Sequence, residues 1–298
     1  MKLAIPPSKY VVAVSGGVDS VVLLDILNNQ LKSQNEIQPT RLIVAHLDHG
    51  IRPDSKQDRI FVAKLAKEYG YPFVYHTVSL GAHASEDTAR IARYNFLRKV
   101  KESSEAAAII TGHHTDDVIE TAVFNILRGT GRNGVILNEY SDDIWRPLIS
   151  YTKDDIRQYA KDKKLTWRED STNQSTRYAR NYIRNNLLKK CTDNERAALY
   201  QQIQLIRQLN IDIDALLVNV LHLQPKPYVV DRRFFAGLPH IVAKEFLVYW
   251  LRQNSIYGFD SKGIERLTVA IKTSLPGRKL DVVDGHSILL SVKTASLQ

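Results

Sequence analysis

Val11-Val12-Ala13-Val14-Ser15-Gly16-Gly17-Val18-Asp19-Ser20 is the stretch on which the reading of this chain turns. An apolar run of strand length feeds straight into two glycines, and these feed into an amphipathic stretch over 18–32. Glycine permits backbone angles and a closeness of approach that a Cβ would block. The helix that follows offers unpaired N–H groups and the positive end of its dipole, a combination that favours an anion. Ser15 and Ser20 add hydroxyl donors. No Lys follows the glycines, which excludes the GxxxxGK[ST] loop of γ-phosphate hydrolases. Two glycines alone would read as a plain turn; the whole hexapeptide between a hydrophobic strand and a helix is far more specific.

The same alternation continues outward. Leu42-Ile43-Val44-Ala45, Phe73-Val74-Tyr75 and Ala108-Ile109-Ile110 read as strands without strict alternation, the pattern of strands buried on both faces. Helical patterns lie between them at about 55–69, 86–101 and 115–128. This βαβα order predicts an α/β fold, a parallel sheet with helices on both sides and a ligand at the carboxyl ends of its strands. Ile144-Trp145-Arg146-Pro147-Leu148 reads as one more short strand. A helix follows from Thr152, with Thr152 and Asp155 spaced as a capping box.

Past residue 193 the pattern changes. One long helix over about 194–221 is expected to connect a catalytic domain, 1–193, to a small α+β domain, 222–298. Pro225 and Pro227 break the helix. Two further helices are expected near 239–254 and 261–273, then a hairpin of Leu280–Val283 and Ser287–Val292 turned at Asp284-Gly285.

The 298 residues carry 41 Lys+Arg against 32 Asp+Glu, a formal net charge of +9. Residues 222–298 hold 11 of those bases and only 6 of the acids, so a quarter of the chain carries over half of the excess. A basic appendage on a nearly balanced α/β body suggests a catalytic domain with a part that grips nucleic acid. The acid-free stretch 174–190 adds Arg177, Arg180, Arg184, Lys189 and Lys190, interleaved with Tyr178 and Tyr182, a mixture suited to phosphate contact and base stacking. The single Cys191 excludes an intramolecular disulfide and a Cys-rich metal cage. With no secretory leader and no apolar run of membrane-spanning length, a cytoplasmic protein with no membrane partner is expected.

Two constellations accompany the glycine loop. In His113-His114-Thr115-Asp116-Asp117-Val118-Ile119-Glu120-Thr121, Thr115 reads as an N-cap with acids in the first turn, while Asp117 and Glu120 share one helix face. No third upstream ligand for zinc is evident. A carboxylate pair that selects a cationic substrate or holds Mg²⁺ explains the charges better. Ser85 reads as a cap ahead of Glu86 and Asp87, and Arg90 and Arg93 share a face behind it. Gly129-Thr130-Gly131-Arg132-Asn133-Gly134 spells a dinucleotide fingerprint, but it follows a helix rather than a strand and reads as a helix exit.

The hexapeptide Ser15–Ser20 resembles the pyrophosphatase loop of enzymes that split ATP between its α- and β-phosphates. The wider set resembles the tRNA(Ile)-lysidine synthetase family. It comprises Asp48-His49-Gly50-x-Arg52, Glu86-x-x-Ala89-Arg90-x-x-Arg93-Tyr94-x-Phe96, His113–Thr121, Leu127-Arg128-Gly129-x-Gly131-x-x-Gly134 and Arg146-Pro147-Leu148. Trp167-x-Glu169-Asp170-x-Thr172-Asn173 and Arg180-Asn181-x-x-Arg184-Asn185 complete it, so the likeness runs in order over about 11–187.

The resemblance implies a Rossmann-like fold of the adenine nucleotide α-hydrolase type. It implies a ligase that uses ATP with Mg²⁺ to adenylate the wobble cytidine of an isoleucine tRNA with a CAU anticodon. L-Lysine is then added, giving lysidine, AMP and pyrophosphate. Carried onto this chain, the ATP-binding residues are Ser15, Gly16, Gly17, Val18, Asp19 and Ser20, and the catalytic residues are Asp19, Arg90, Asp117, Glu120 and Arg184. Asp19 is either a helix-start cap or a participant around Mg²⁺-ATP, and the family pattern favours the second. Val118 stands where relatives often have Gln, and Lys189-Lys190 where a proline is common. A homodimer is compatible with the sequence. The alternatives are a pyrophosphatase-loop tRNA thiolase, for which one cysteine is poor support, and a catalytically idle tRNA-binding protein.

Overall fold

The structure is a computed structural model that describes residues 1, 3–34, 41–48, 50, 55–81, 86–168, 179–222 and 226–298. The chain divides into two compact units, Met1–Arg128 with Val135–Ile203, and Gly129–Gly134 with Gln204–Gln298.

In the first unit the predicted alternation is realised as β1 (Tyr10–Ala13), α1 (Val18–Ser33), β2 (Leu42–Asp48), α2 (Ser55–Tyr69), β3 (Phe73–Thr77), α3 (Glu86–Ser103), β4 (Ala108–Ile110) and α4 (Thr115–Leu127). After α4 come α5 (Arg132–Val135), of which all but Val135 belongs to the second unit, and then β5 (Tyr140–Ser141), β6 (Ile144–Trp145), α6 (Lys153–Asp162) and α7 (Ala179–Tyr182). A π-helical turn, Ile183–Leu187, leads through a 3₁₀ turn into α8 (Asp193–His222), within which the two units divide. The strand order is β3-β2-β1-β4-β6-β5, parallel except for the closing β5–β6 hairpin.

Successive residues of β1 point to opposite faces, and both faces are covered. Val12 and Val14 join Leu23, Leu27, Val44, Val62 and Ile156 in one core, against α1, α2 and α6. Val11 joins Ile43, Leu97, Val100 and Ile109 in the other, against α3. The expectation of burial on both faces fails for β3. It is the sheet's edge, where Val74 is 36% and Tyr75 51% exposed, because an edge strand has a neighbour on one side only. On α1, buried Asp25 accepts hydrogen bonds from Tyr69 of α2 (2.7 Å) and Tyr159 of α6 (2.8 Å), which lock the three helices together.

In the second unit, β7 (Val229–Asp231), α9 (Arg232–Gly237), α10 (His240–Gln253), α11 (Ser261–Thr273), β8 (Lys279–Asp281), β9 (Ser287–Leu290) and β10 (Thr294–Leu297) surround a core of Phe235, Phe246, Trp250, Leu267 and Ile288. The four strands form an antiparallel sheet in the order β7-β10-β9-β8. Asp284 and Gly285 take φ of +48° and +82°, the left-handed pair that turns a tight hairpin. The predicted strand Ser287–Val292 stops at Leu290: a turn over Ser291–Thr294 reverses the chain into β10, which no hydrophobic run announced. Among the described residues no helix is long and apolar enough to cross a membrane.

Candidate active site

The strand order reverses between β1 and β4, and their carboxyl ends open a crevice there, the usual ligand position of such a sheet. The loop leaving β1 lies on one side. Gly16 has φ +95°, which excludes a side chain at that position without strain. Gly17 is extended and serves as the N-cap of α1; with no side chain it leaves the helix N-terminus uncovered. The Ser20 hydroxyl accepts from the Ser15 and Gly16 N–H groups at 3.2 Å each and donates to the Gly17 carbonyl at 2.9 Å, shaping the loop from within. Val18 contributes only backbone here, since its side chain lies in the core.

Gly112, just beyond β4, is a lone glycine that no motif in the sequence marks out. A Cβ there would lie 3.1 Å from the backbone C and O of Asp19. The two strand exits meet in this close approach.

A cavity of about 270 Å³ lies against these loops, lined in part by Ser15, Gly17, Asp19, Ser20, His46 and Asp117. His46, buried at the end of β2, pairs its Nδ1 with the Val14 carbonyl at 2.8 Å, and burial holds its pKa below the usual imidazole value. Burial pushes His113 down to about 4, with Arg146 and Arg90 adding to the effect, so it is a neutral imidazole at pH 7. Its Nδ1 lies 2.8 Å from the Thr111 hydroxyl.

The cap of α4 is His114, not Thr115. Its Nδ1 accepts from the Asp116 N–H, and its own N–H donates to Asp117 Oδ2 at 2.9 Å. An imidazole nitrogen two residues ahead can fill the cap as well as a hydroxyl, and Thr115 is carried into the helix. Asp117 is therefore both a capping residue and a lining residue of the cavity. Burial alone would raise its pKa, but His114, His113, the His114 N–H and Arg184 outweigh burial and hold the carboxyl below its ordinary value.

Glu120 lies one turn on, 4% exposed. Arg184, from the π-helical turn, donates to Glu120 Oε2 at 2.9 Å and 2.6 Å and stands 3.9 Å from Asp117 Oδ1. The predicted carboxylate pair thus shares a face and holds a cation supplied by the chain itself. Burial still keeps the Glu120 pKa above its ordinary value, despite Arg184. Val118 points into the core rather than toward the pair.

Asp19 carries a partner that was not foreseen: Lys153 Nζ lies 2.6 Å and 2.7 Å from its two carboxylate oxygens. The available signal was a lysine at the first residue of α6, where the helix dipole disfavours positive charge. Arg90 does not line the cavity of Asp19; it lies in a neighbouring cleft, with its guanidinium 5.0 Å from the Tyr94 ring centre. Tyr94 borders both spaces. Among the described residues no three His, Cys, Asp or Glu side chains gather to hold a metal. Mg²⁺ on a nucleotide needs only one or two carboxylates beside the phosphates, a requirement that Asp19 at the loop fits. The Ser85 cap, His49, Arg52, the 169–173 motif, Arg177 and Tyr178 lie outside the described residues.

Residues 3–191 match the family model of the PP-loop domain. The chain is similar to tRNA(Ile)-lysidine synthase of Thermus thermophilus, 37% identical over 185 residues, which is 60% of this chain and 35% of that protein. It is also similar to tRNA(Ile)-lysidine synthase of a Thermotoga species, 31% identical over 208 residues, 66% of this chain and 49% of that protein. The matched region thus spans about a third to a half of these curated relatives. Among solved structures, a U34-tRNA thiolase from Methanococcus maripaludis with its [4Fe–4S] cluster shares the fold, with a TM-score of 0.53 and 19% identity over 67% of this chain and 73% of that one. Loop, strand order and matched residues agree: this chain belongs to the PP-loop domain family.

Proposed function

We propose that the protein is a tRNA(Ile)-lysidine synthase: it adenylates the wobble cytidine of an isoleucine tRNA with a CAU anticodon and then joins L-lysine to it. The observation that carries this reading is the cluster of Asp117, Glu120 and Arg184 beside the phosphate loop. The 31–37% identity to proteins of that name, over 185–208 residues, supports it.

The chemistry runs in two displacements. A base oxygen attacks the α-phosphorus of ATP, and pyrophosphate leaves with the electron pair. The lysine ε-amine, having lost a proton, then attacks the activated ring carbon; the C–N bond forms and AMP departs. Ser15–Ser20 would hold the departing pyrophosphate through loop N–H groups and the α1 dipole. Asp19 would hold Mg²⁺, whose contribution is to neutralise phosphate charge. Asp117 and Glu120 would receive the lysine ammonium, with Arg184 ceding part of its hold on them. His113, neutral in the same cavity, would add no positive charge against the incoming lysine ammonium. In the second unit, exposed Arg233, Arg278 and Lys279 would meet tRNA phosphates. The unit of residues 1–193 would be catalytic, 194–221 a connector and 222–298 tRNA-binding. A tRNA substrate would place the enzyme in the cytoplasm. A thiolase reading is not favoured, since one cysteine cannot bind a cluster and carry sulfur.

The deciding experiment incubates the protein with ATP, labelled lysine and CAU-anticodon isoleucine tRNA, then analyses nucleosides by mass. Label in the wobble nucleoside is expected. ATP turnover or tight tRNA binding without label there would overturn the assignment.

A further inference from the structure

Arg146 is a deeply buried charged side chain of the first unit. It is 3% exposed at the carboxyl end of β6, yet it forms no ion pair with any described residue. Its Nη1 donates to the Asn138 carbonyl at 2.9 Å. Its Nε, fully buried, has no hydrogen-bond partner among the described residues. A guanidinium withdrawn from water with an unused donor is strongly disfavoured unless a ligand completes it.

Arg146 lines a cleft of about 440 Å³ between α3 and the β5–β6 hairpin. Arg90 and Arg98 line the same cleft. Arg90 lies over the Tyr94 ring, while Arg98 is drawn aside to Asp143 at 3.3 Å and 3.4 Å. Among the described residues the only acid on the lining is Asp142, which is exposed. With Arg98 paired to Asp143, the guanidinium groups of Arg146 and Arg90 against one solvated carboxylate make an anion site, and planar forks suit the paired oxygens of a phosphate. Tyr94 separates this cleft from the cavity at the Ser15–Ser20 loop.

We propose that this cleft is a second phosphate subsite, in which Arg146, with Arg90, binds a nucleotide phosphate beside the reacting centre. The shared chemistry is a phosphate oxygen pair. The Ser15–Ser20 loop already serves the ATP phosphates, so the source favoured here is the RNA backbone next to the modified base. That source rests on the tRNA reading given above; the anion site does not.

The test uses the full chain, a CAU-anticodon tRNA and the same tRNA carrying an uncharged methylphosphonate on either side of the wobble cytidine, with ATP–Mg²⁺ binding measured separately. At one of those linkages the wild-type protein should lose roughly tenfold in tRNA affinity. Arg146→Met should bind unmodified tRNA roughly tenfold more weakly and be indifferent to the methylphosphonate, with ATP affinity unchanged. Arg146→Lys, which keeps the charge but not the fork, should fall between them. Equal methylphosphonate sensitivity in wild type and Arg146→Met would overturn the subsite. Weakened ATP binding with intact tRNA binding would keep the phosphate site and overturn the RNA source. If thermal melting shows that Arg146→Met does not fold, Arg90→Gln on the half-buried face of α3 should show the same indifference. Failure of the lysidine reading is separate: it appears as a wild-type protein that forms no lysidine.

Discussion

Lys153 Nζ stands within 2.7 Å of both carboxylate oxygens of Asp19, joining the first turn of α6 to the first turn of α1 across the phosphate loop. The pair is 26% and 30% exposed, so its contribution to stability should be below about 1 kcal/mol. Its consequence is positional: Asp19 is held in one orientation at the loop. Lys153→Met should leave the melting temperature nearly unchanged, because a first-turn lysine also opposes the helix dipole. ATP–pyrophosphate exchange should fall by roughly tenfold or more, with partial rescue in Lys153→Arg.

Gly112→Ala tests the meeting of the two strand exits. The new methyl would press on the backbone of Asp19 and Ser20, at 3.1 Å and 3.3 Å, and neither chain can rotate away as a side chain could. A destabilisation of about 1–3 kcal/mol in urea unfolding is expected. Weaker ATP binding should accompany it, measured by isothermal titration.

His113 makes stability depend on pH. Its pKa falls from 6.5 to about 4 on folding, so the unfolded chain takes up a proton that the folded chain refuses. The contribution is complete above pH 6.5 and is lost as the pH falls through that window toward 4. Urea midpoints of wild type should decline more steeply between pH 6.5 and 4.5 than those of His113→Gln.

Glu120 works in the opposite direction. Its folded pKa lies above the ordinary 4.5, so the ionised carboxylate is a burden on the fold at neutral pH that protonation relieves. Glu120→Gln should therefore be at least as stable as wild type at pH 7.5. That advantage should shrink as the pH falls through the folded pKa and vanish below about 4.5, while lysidine formation drops by roughly a hundredfold. Thermal melts across pH, with nucleoside analysis at pH 7.5, check both halves.

In the second unit, Arg232 should be kept out of any charge-neutralisation test. Its guanidinium donates to the carbonyls of Ile271, Ser274 and Ser291 and ties α11 to the β9–β10 turn. Arg233, Arg278 and Lys279 are exposed, and replacing the three with Gln should preserve melting and reduce the salt slope of tRNA binding by roughly two to three.

The local patterns carried far. Apolar runs of strand length, amphipathic stretches of helix length and two glycines at the first crossing specify the four helices and four strands that place the phosphate loop, because each signal lies within one element and its neighbour. The Thr152–Asp155 capping box and the Asp284-Gly285 turn were legible for the same reason. β10 was not: it is short and only half apolar, and it exists because β7 and β9 pair with it on both sides. Nor was the exposure of β3, since an edge is a property of the assembled sheet.

At the site, the sequence by itself determined which side chains could do chemistry: the loop, and two carboxylates on one helix face. Only the tertiary structure decided their partners. It put Lys153 on Asp19 across 134 residues and Arg184 on Glu120 across 64. It also withdrew Arg146 from water without a carboxylate. Hydrogen bonds reach about 3 Å and desolvation depends on what surrounds a group in space. Chain spacing encodes neither once the partners lie on different elements.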